Sequence, residues 1–142
     1  GGHTDWNEES RLVVKRACDQ AWEMSGVTRS EIDCAQIYDA FTYNVLMDLE
    51  GAGFCGVGEA GEFVADGQIK LDGGNLPVNT DGGGLSSNHP GRRGIFLYIE
   101  AVRQLREEAV GRQMRNAKTA MCTATGAAFL ARRGSTAHIL GI

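Results

Sequence analysis

Apolar residues in this chain follow two periods that take turns along the sequence, and this alternation restricts the fold more than any single motif does. From Ser10, the residues Leu12, Val13, Ala17, Ala21 and Met24 fall near helical spacing, and Gly26 follows as a stop. Thr28 or Ser30 caps a short helical turn, and "CAQIY" (Cys34–Tyr38) reads as a buried strand. "FTYNVLMDLEGAGF" returns to helical period through Phe41, Val45, Leu46 and Leu49 and ends at Gly51. "GEAGEFVADG" reads as loop, and "IKLDGGNLPVNTDGGG" as extended chain with a strand near Leu76–Asn79. "GIFLYIEAVRQLREEAV" is the clearest helix; its core stripe is Ile95, Ile99, Val102 and Leu105, and Glu100 can pair with Arg103 across one turn. Strands near Ala117–Thr123 and Thr136–Leu140 close the chain around a turn at Arg132–Gly134. Residues 1–9 are a polar lead-in and residues 10–142 one domain. The order helix, strand, helix, strand, helix, strand, strand implies an α/β fold: a mixed, mostly parallel sheet covered by helices on both faces, with a final hairpin.

The bulk numbers narrow the function. A formal net charge of −4 with no basic run argues against a nucleic-acid partner, which needs many phosphates neutralised. No apolar run approaches the ~20 residues that span a bilayer, and the expected compartment is the cytoplasm. Cys18, Cys34, Cys55 and Cys122 form no C-x-x-C pair and have no histidine at zinc-site spacing, so they read as reduced thiols and no metal is expected. A large share of the twenty glycines lie between Gly51 and Gly94, which marks a loop-rich functional edge.

Open α/β sheets keep their chemistry at strand ends. Three stretches put polar side chains there: "IYDAFTYN" with Tyr38 and Asp39, "NTDGGGLSSNHPG" with Asn79, Gly82, Gly83, Asn88 and His89, and "AMCTATG" with Cys122. Taken residue by residue, each also suits a structural role. His89 fits a solvated loop histidine, Tyr38 a strand-end aromatic and Cys122 a small buried hydrophobe. Arg92 and Arg93 read as a solvated pair, His138 as structural.

Taken together, "YDAF" (Tyr38–Phe41), "NTDGGGLSSNHPG" (Asn79–Gly91) and "CTATG" (Cys122–Gly126) resemble, in order, the "NEAF", "N-x-x-GG…GHP" and "C-x-G" boxes of thiolase-fold enzymes. "LMDLEGAGFCGVGEAGEF" and "EAVRQLREEAVGRQ" are similar to a narrower branch containing sterol-carrier-protein-type thiolases, lipid-transfer proteins and steroid side-chain aldolases. The resemblance implies the C-terminal half of a thiolase-like fold, whose own first strand would precede Gly1 and leave a central slot in the sheet. It implies an enzyme, incomplete without an N-terminal half, that acts beside an acyl-CoA thioester. Retro-aldol cleavage of a hydroxyacyl-CoA in steroid or lipid side-chain degradation is the first expectation. An acyltransferase catalysing thiolysis or Claisen condensation of a 3-ketoacyl-CoA, and a non-catalytic acyl- or sterol-binding module, are the alternatives.

Carried onto this chain, the resemblance makes Tyr38, His89 and Cys122 catalytic and gives Asp39, Asn79, Gly82, Gly83 and Asn88 to substrate binding. Tyr38 stands where thiolases have Asn, Asp39 where they have Glu, and Ala124 where "C-x-G" has its glycine. The implied ligand is coenzyme A as part of the substrate, with no separate cofactor. The implied partners are a second copy in a homodimer and an acyl-CoA-binding accessory protein with an OB-fold and a zinc ribbon.

Overall fold

Buried positions spaced by four residues define the first helix. The computed structural model describes the backbone of residues 6–88, 92–129 and 132–142, and burial over residues 11–88, 92–126 and 134–142. Helix α1 is Trp6–Ser25, so it starts four residues before the periodic stretch. Its inner stripe is Val14, Cys18 and Trp22, whereas Leu12 and Met24 of the expected stripe are exposed. Trp22 Nε1 donates to the Ala52 carbonyl (3.3 Å), tying α1 to helix α2, Thr42–Ala52. Where they cross, a Cβ on Gly51 would lie 3.0 Å from both the Arg11 carbonyl and Val14, so any larger residue would push the helices apart by a few tenths of an ångström. Gly53, at φ 79°, ends α2 in the left-handed conformation.

Strand β1 (Cys34–Ile37) pairs in parallel with β2 (Thr119–Phe129), from Cys34 opposite Ala120 to Ile37 opposite Thr123. β2 pairs antiparallel with β3, Arg132–Gly141. The sheet order is therefore β1-β2-β3, and the expected empty slot is closed by direct hydrogen bonding of β1 to β2. The strand expected near Leu76–Asn79 shrinks to one parallel bridge between Val78 and Ala35. Pro77 has no N–H to donate, and Asn79, at φ 50°, turns the chain away. The turn expected around Arg132–Gly134 falls inside β3, because the hairpin strands run further than their apolar cores. "GEAGEFVADG" contains a short helix, α3 (Ala60–Ala65), with Phe63 and Val64 packed on the core.

Alternation along the strands sends Ala35, Ile37 and Met121 to a core with Val14, Cys18, Trp22 and Leu49. It sends Cys34, Ala120 and Cys122 to the opposite face, against α4, Gly94–Leu105. Helices thus cover both faces of a mixed sheet, as the alternation predicts. The phase of α4 differs from expectation: Leu97, Ala101 and Leu105 are buried, while Ile95 and Ile99 are exposed. Glu100 and Gln104 also face inward and decide the phase. Glu100 is 2% exposed and takes a two-point bond from Arg112 (3.0 and 2.6 Å) rather than from Arg103. Thr80 Oγ1 (2.6 Å) and Gln104 Nε2 (3.0 Å) donate to the same carboxylate. Burial alone would raise the Glu100 carboxyl, but these donors hold it below the ordinary carboxylate range.

Candidate functional site

Parallel pairing sets the C-terminal end of β1 beside the middle of β2, and the Tyr38 N–H donates to the Thr123 carbonyl (3.0 Å). Beyond this edge lies an open cleft of about 460 Å³ whose lining includes Tyr38, Arg93, Gly94, Ala124, Thr125 and Thr136. Half-buried Tyr38 also packs on the α4-side core. The loop between Asn79 and Asn88 runs beside this edge.

Each loop residue is held for a reason that can be named. The Ile37 N–H donates to Asn79 Oδ1 (2.7 Å), and the Asn79 N–H to the Ala35 carbonyl (3.0 Å), so Asn79 anchors the loop to β1. Asp39 is 5% exposed, and both its oxygens are taken by the loop: Oδ1 by the Gly84 N–H (2.8 Å), Oδ2 by the Leu85 N–H (3.0 Å). Gly82 and Gly83 have φ of 89° and 72°, and a Cβ on Gly83 would collide with Asp39 Oδ2. Asp39, Asn79 and these glycines therefore shape the backbone, and neither polar side chain has its oxygens turned to the cleft. Asn88 is exposed at the loop's end, and His89 lies outside the described residues.

Cys122 does not line the cleft. It is 1% exposed, its Sγ–H reaches the Leu97 carbonyl (3.7 Å), and burial, with Cys34 nearby, pushes its thiol up to about 12. On the same face of β2, Ala124 two residues on does reach the cleft. Of the three residues expected to be catalytic, the described two lie apart, Tyr38 on the cleft wall and Cys122 in the core beneath it.

Two features were not legible beforehand. Arg93, expected in solvent, is 5% exposed and donates to Asp81 Oδ2 (2.7 Å); its guanidinium sits 5.3 Å from the Phe96 ring centroid. The neighbouring Arg92 is exposed. Asp81, two residues before Gly83, carries the usual signal of a side chain that bonds its own turn. On the other face of β2, Thr123 Oγ1 donates to buried Asp48 (2.7 Å), whose carboxyl burial pushes up to about 7. Nothing in the local sequence of α2 announces that pair.

A strand-end cleft flanked by a glycine loop, with the three boxes in order along the chain, is the arrangement of a thiolase-like domain. The family model described as "Thiolase C-terminal domain-like" matches residues 3–141, and the chain belongs to that family. Among its relatives, the 17-hydroxy-3-oxo-4-pregnene-20-carboxyl-CoA lyase of Mycobacterium tuberculosis is 48% identical over 92 residues, 64% of this chain and 23% of that one. The acetyl-CoA acetyltransferase of Methanothermobacter thermautotrophicus is 38% identical over 106 residues, 74% of this chain and 27% of that one. A solved structure titled "Ltp2-ChsH2(DUF35) aldolase" superposes with a TM-score of 0.76 at 36% identity, covering 90% of this chain and 31% of that one. The chain therefore spans a quarter to a third of the length of these relatives.

Proposed function

We propose that this domain works in a thiolase-like acyl-CoA lyase that cleaves a hydroxyacyl-CoA by retro-aldol chemistry, in the degradation of a steroid or lipid side chain. In that reaction a base takes the proton of the hydroxyl on the carbon next to the thioester's α-carbon. The hydroxyl becomes a carbonyl, the bond to the α-carbon breaks, and the thioester enolate left behind gains a proton. Lowering the barrier requires hydrogen-bond donors on the thioester oxygen and a group that moves a proton. Tyr38 is assigned to share these roles with His89. Asp39, Asn79, Gly82 and Gly83 fix the backbone beside Tyr38, and Asn88 is assigned with them to substrate binding.

The observation that carries this reading over Claisen chemistry is Cys122. Thiolysis or condensation uses a cysteine that exchanges protons with the substrate, and a thiol 1% exposed and pushed up to about 12 is poorly suited to that. The similarity to a carboxyl-CoA lyase at 48% identity points the same way. The acetyl-CoA acetyltransferase relative keeps the acyltransferase reading as the second choice.

The aldolase structure's title pairs two proteins, which supports an accessory partner for this one; the family resemblance gives that partner an OB-fold and a zinc ribbon. It also supports a homodimer. Among the described residues no helix is long and apolar enough to cross a membrane, and a cytoplasmic enzyme is proposed. Comparing turnover with ligand affinity in the complete natural protein tests the enzyme reading. His89→Ala abolishes cleavage of a hydroxyacyl-CoA while its binding persists. A wild-type protein that binds the acyl-CoA without transforming it contradicts the proposal and favours a transfer module.

A further inference from the structure

Three consecutive backbone N–H groups, those of Gly83, Gly84 and Leu85, end on two carboxylates. Asp81 Oδ1 accepts from Gly83 (2.8 Å), and Asp39 accepts from Gly84 and Leu85. Asp39 directly follows Tyr38, so this carboxylate fastens the loop to the cleft's tyrosine. Asp81 is fastened in turn by Arg93, immediately before α4, through its other oxygen at 2.7 Å. The loop threads between the two anchors: a Cβ on Gly84 would lie 3.0 Å from Asp39 Oδ1 and 3.6 Å from Arg93 Nε.

The arginine is held there at a cost. It is 5% exposed, and its buried Nε meets no acceptor among the described residues. A buried donor left unpaired is destabilising, and buried ion pairs are often replaced by apolar groups without loss of stability. An arrangement kept against its own stability is expected where geometry matters to function.

We propose that Arg93 is a positioning residue: acting through Asp81, it sets the backbone of Gly83–Leu85 against the Tyr38 end of the cleft and so keeps the site in its reactive shape. This rests on the cleft being the reaction site proposed above. The proposal separates stability from activity, because removing the pair loosens the loop without weakening the fold.

The test uses the complete natural protein with Arg93→Met/Asp81→Asn, Arg93→Lys and Asp81→Asn, the asparagine keeping an acceptor for the Gly83 N–H. Amide exchange of Gly83–Leu85 is read by mass spectrometry or NMR, alongside Tm, kcat and KM. In Arg93→Met/Asp81→Asn, which removes both charges together, those amides exchange about tenfold faster or more while Tm is unchanged or higher. Turnover falls by roughly 10- to 100-fold with KM little changed, the scale expected when a reacting geometry is misplaced by about an ångström. Asp81→Asn shifts both readouts in the same direction, and Arg93→Lys restores most of them. Unchanged exchange in Arg93→Met/Asp81→Asn overturns the proposal, as does faster exchange that tracks a lower Tm, or faster exchange with full turnover. If the wild-type protein shows no acyl-CoA cleavage, the reaction assignment fails and the exchange readings alone decide the positioning.

Discussion

A single phenolic oxygen separates tyrosine from phenylalanine at position 38, on the wall of the cleft. If it helps to move a proton, Tyr38→Phe lowers kcat by about 10²-fold or more, the usual scale for acid–base groups, with KM little moved. Cys122→Ser is the internal control. Because the thiol sits in the core beneath the cleft, kcat stays within about threefold, and steady-state kinetics of the two variants separate the roles. A serine variant as inactive as the phenylalanine variant would favour Claisen chemistry. Asp48 gives a second, independent prediction at this scale. Its folded-state carboxyl is pushed up by burial from 3.8 to about 7. Between those values the unfolded chain has released the proton and the folded one still holds it, so stability falls as pH rises through this window and levels off above it. Asp48→Asn keeps a partner for Thr123 and removes the titration. Urea unfolding at pH 4 to 8 then shows a flatter profile than wild type, with the variant the more stable at pH 8.

At the scale of elements, the three long helices and three of the four expected strands were legible, but α3 and the rotation of the helices about their axes were not. Helix α4 is apolar around most of its circumference, so the spacing of Ile95, Ile99 and Val102 competes with that of Leu97, Ala101 and Leu105. Small Ala101 allows close packing on the sheet, and the polar partners of Glu100 and Gln104 settle the choice. Those partners come from Thr80 and the turn at Arg112, one well before the helix and one beyond it, which local patterning cannot pair. The same limit hid Arg93: only the folded loop brings Asp81 to it. The Glu100 cluster has a measurable consequence. Arg112→Met leaves a carboxylate that is 2% exposed without its countercharge, and breaking such a pair costs about 3–5 kcal/mol. Adding Glu100→Gln to that variant recovers most of the loss. Denaturant unfolding of the wild type, both single variants and the double variant closes the cycle. Equal stability of Arg112→Met and wild type would mean that the network does not hold α4 in place.

For the whole molecule, the alternation of periods led to the right class: a mixed sheet with helices on both faces. The sheet's connectivity was harder to read. A slot expected between the strands is filled by direct pairing of Cys34–Ile37 with Ala120–Thr123, which satisfies the backbone groups that a gap would have left unpaired. Of the candidate site, the boxes located Tyr38 and the glycine loop. They could not show that Asp39 and Asn79 spend their oxygens on backbone, or that Cys122 lies below the surface. Those facts depend on which way a strand residue points once both faces are covered. The central claim is that the cleft supports carbon–carbon cleavage of a hydroxyacyl-CoA without free coenzyme A. Its most direct measurement is the product balance of the complete natural protein, with the proposed accessory partner, given a steroid side-chain hydroxyacyl-CoA and no free coenzyme A. The account predicts a ketone and a shortened acyl-CoA in equal amounts, with both nearly lost in Tyr38→Phe. Cleavage only of a 3-ketoacyl-CoA, and only when free coenzyme A is supplied and consumed, would contradict it.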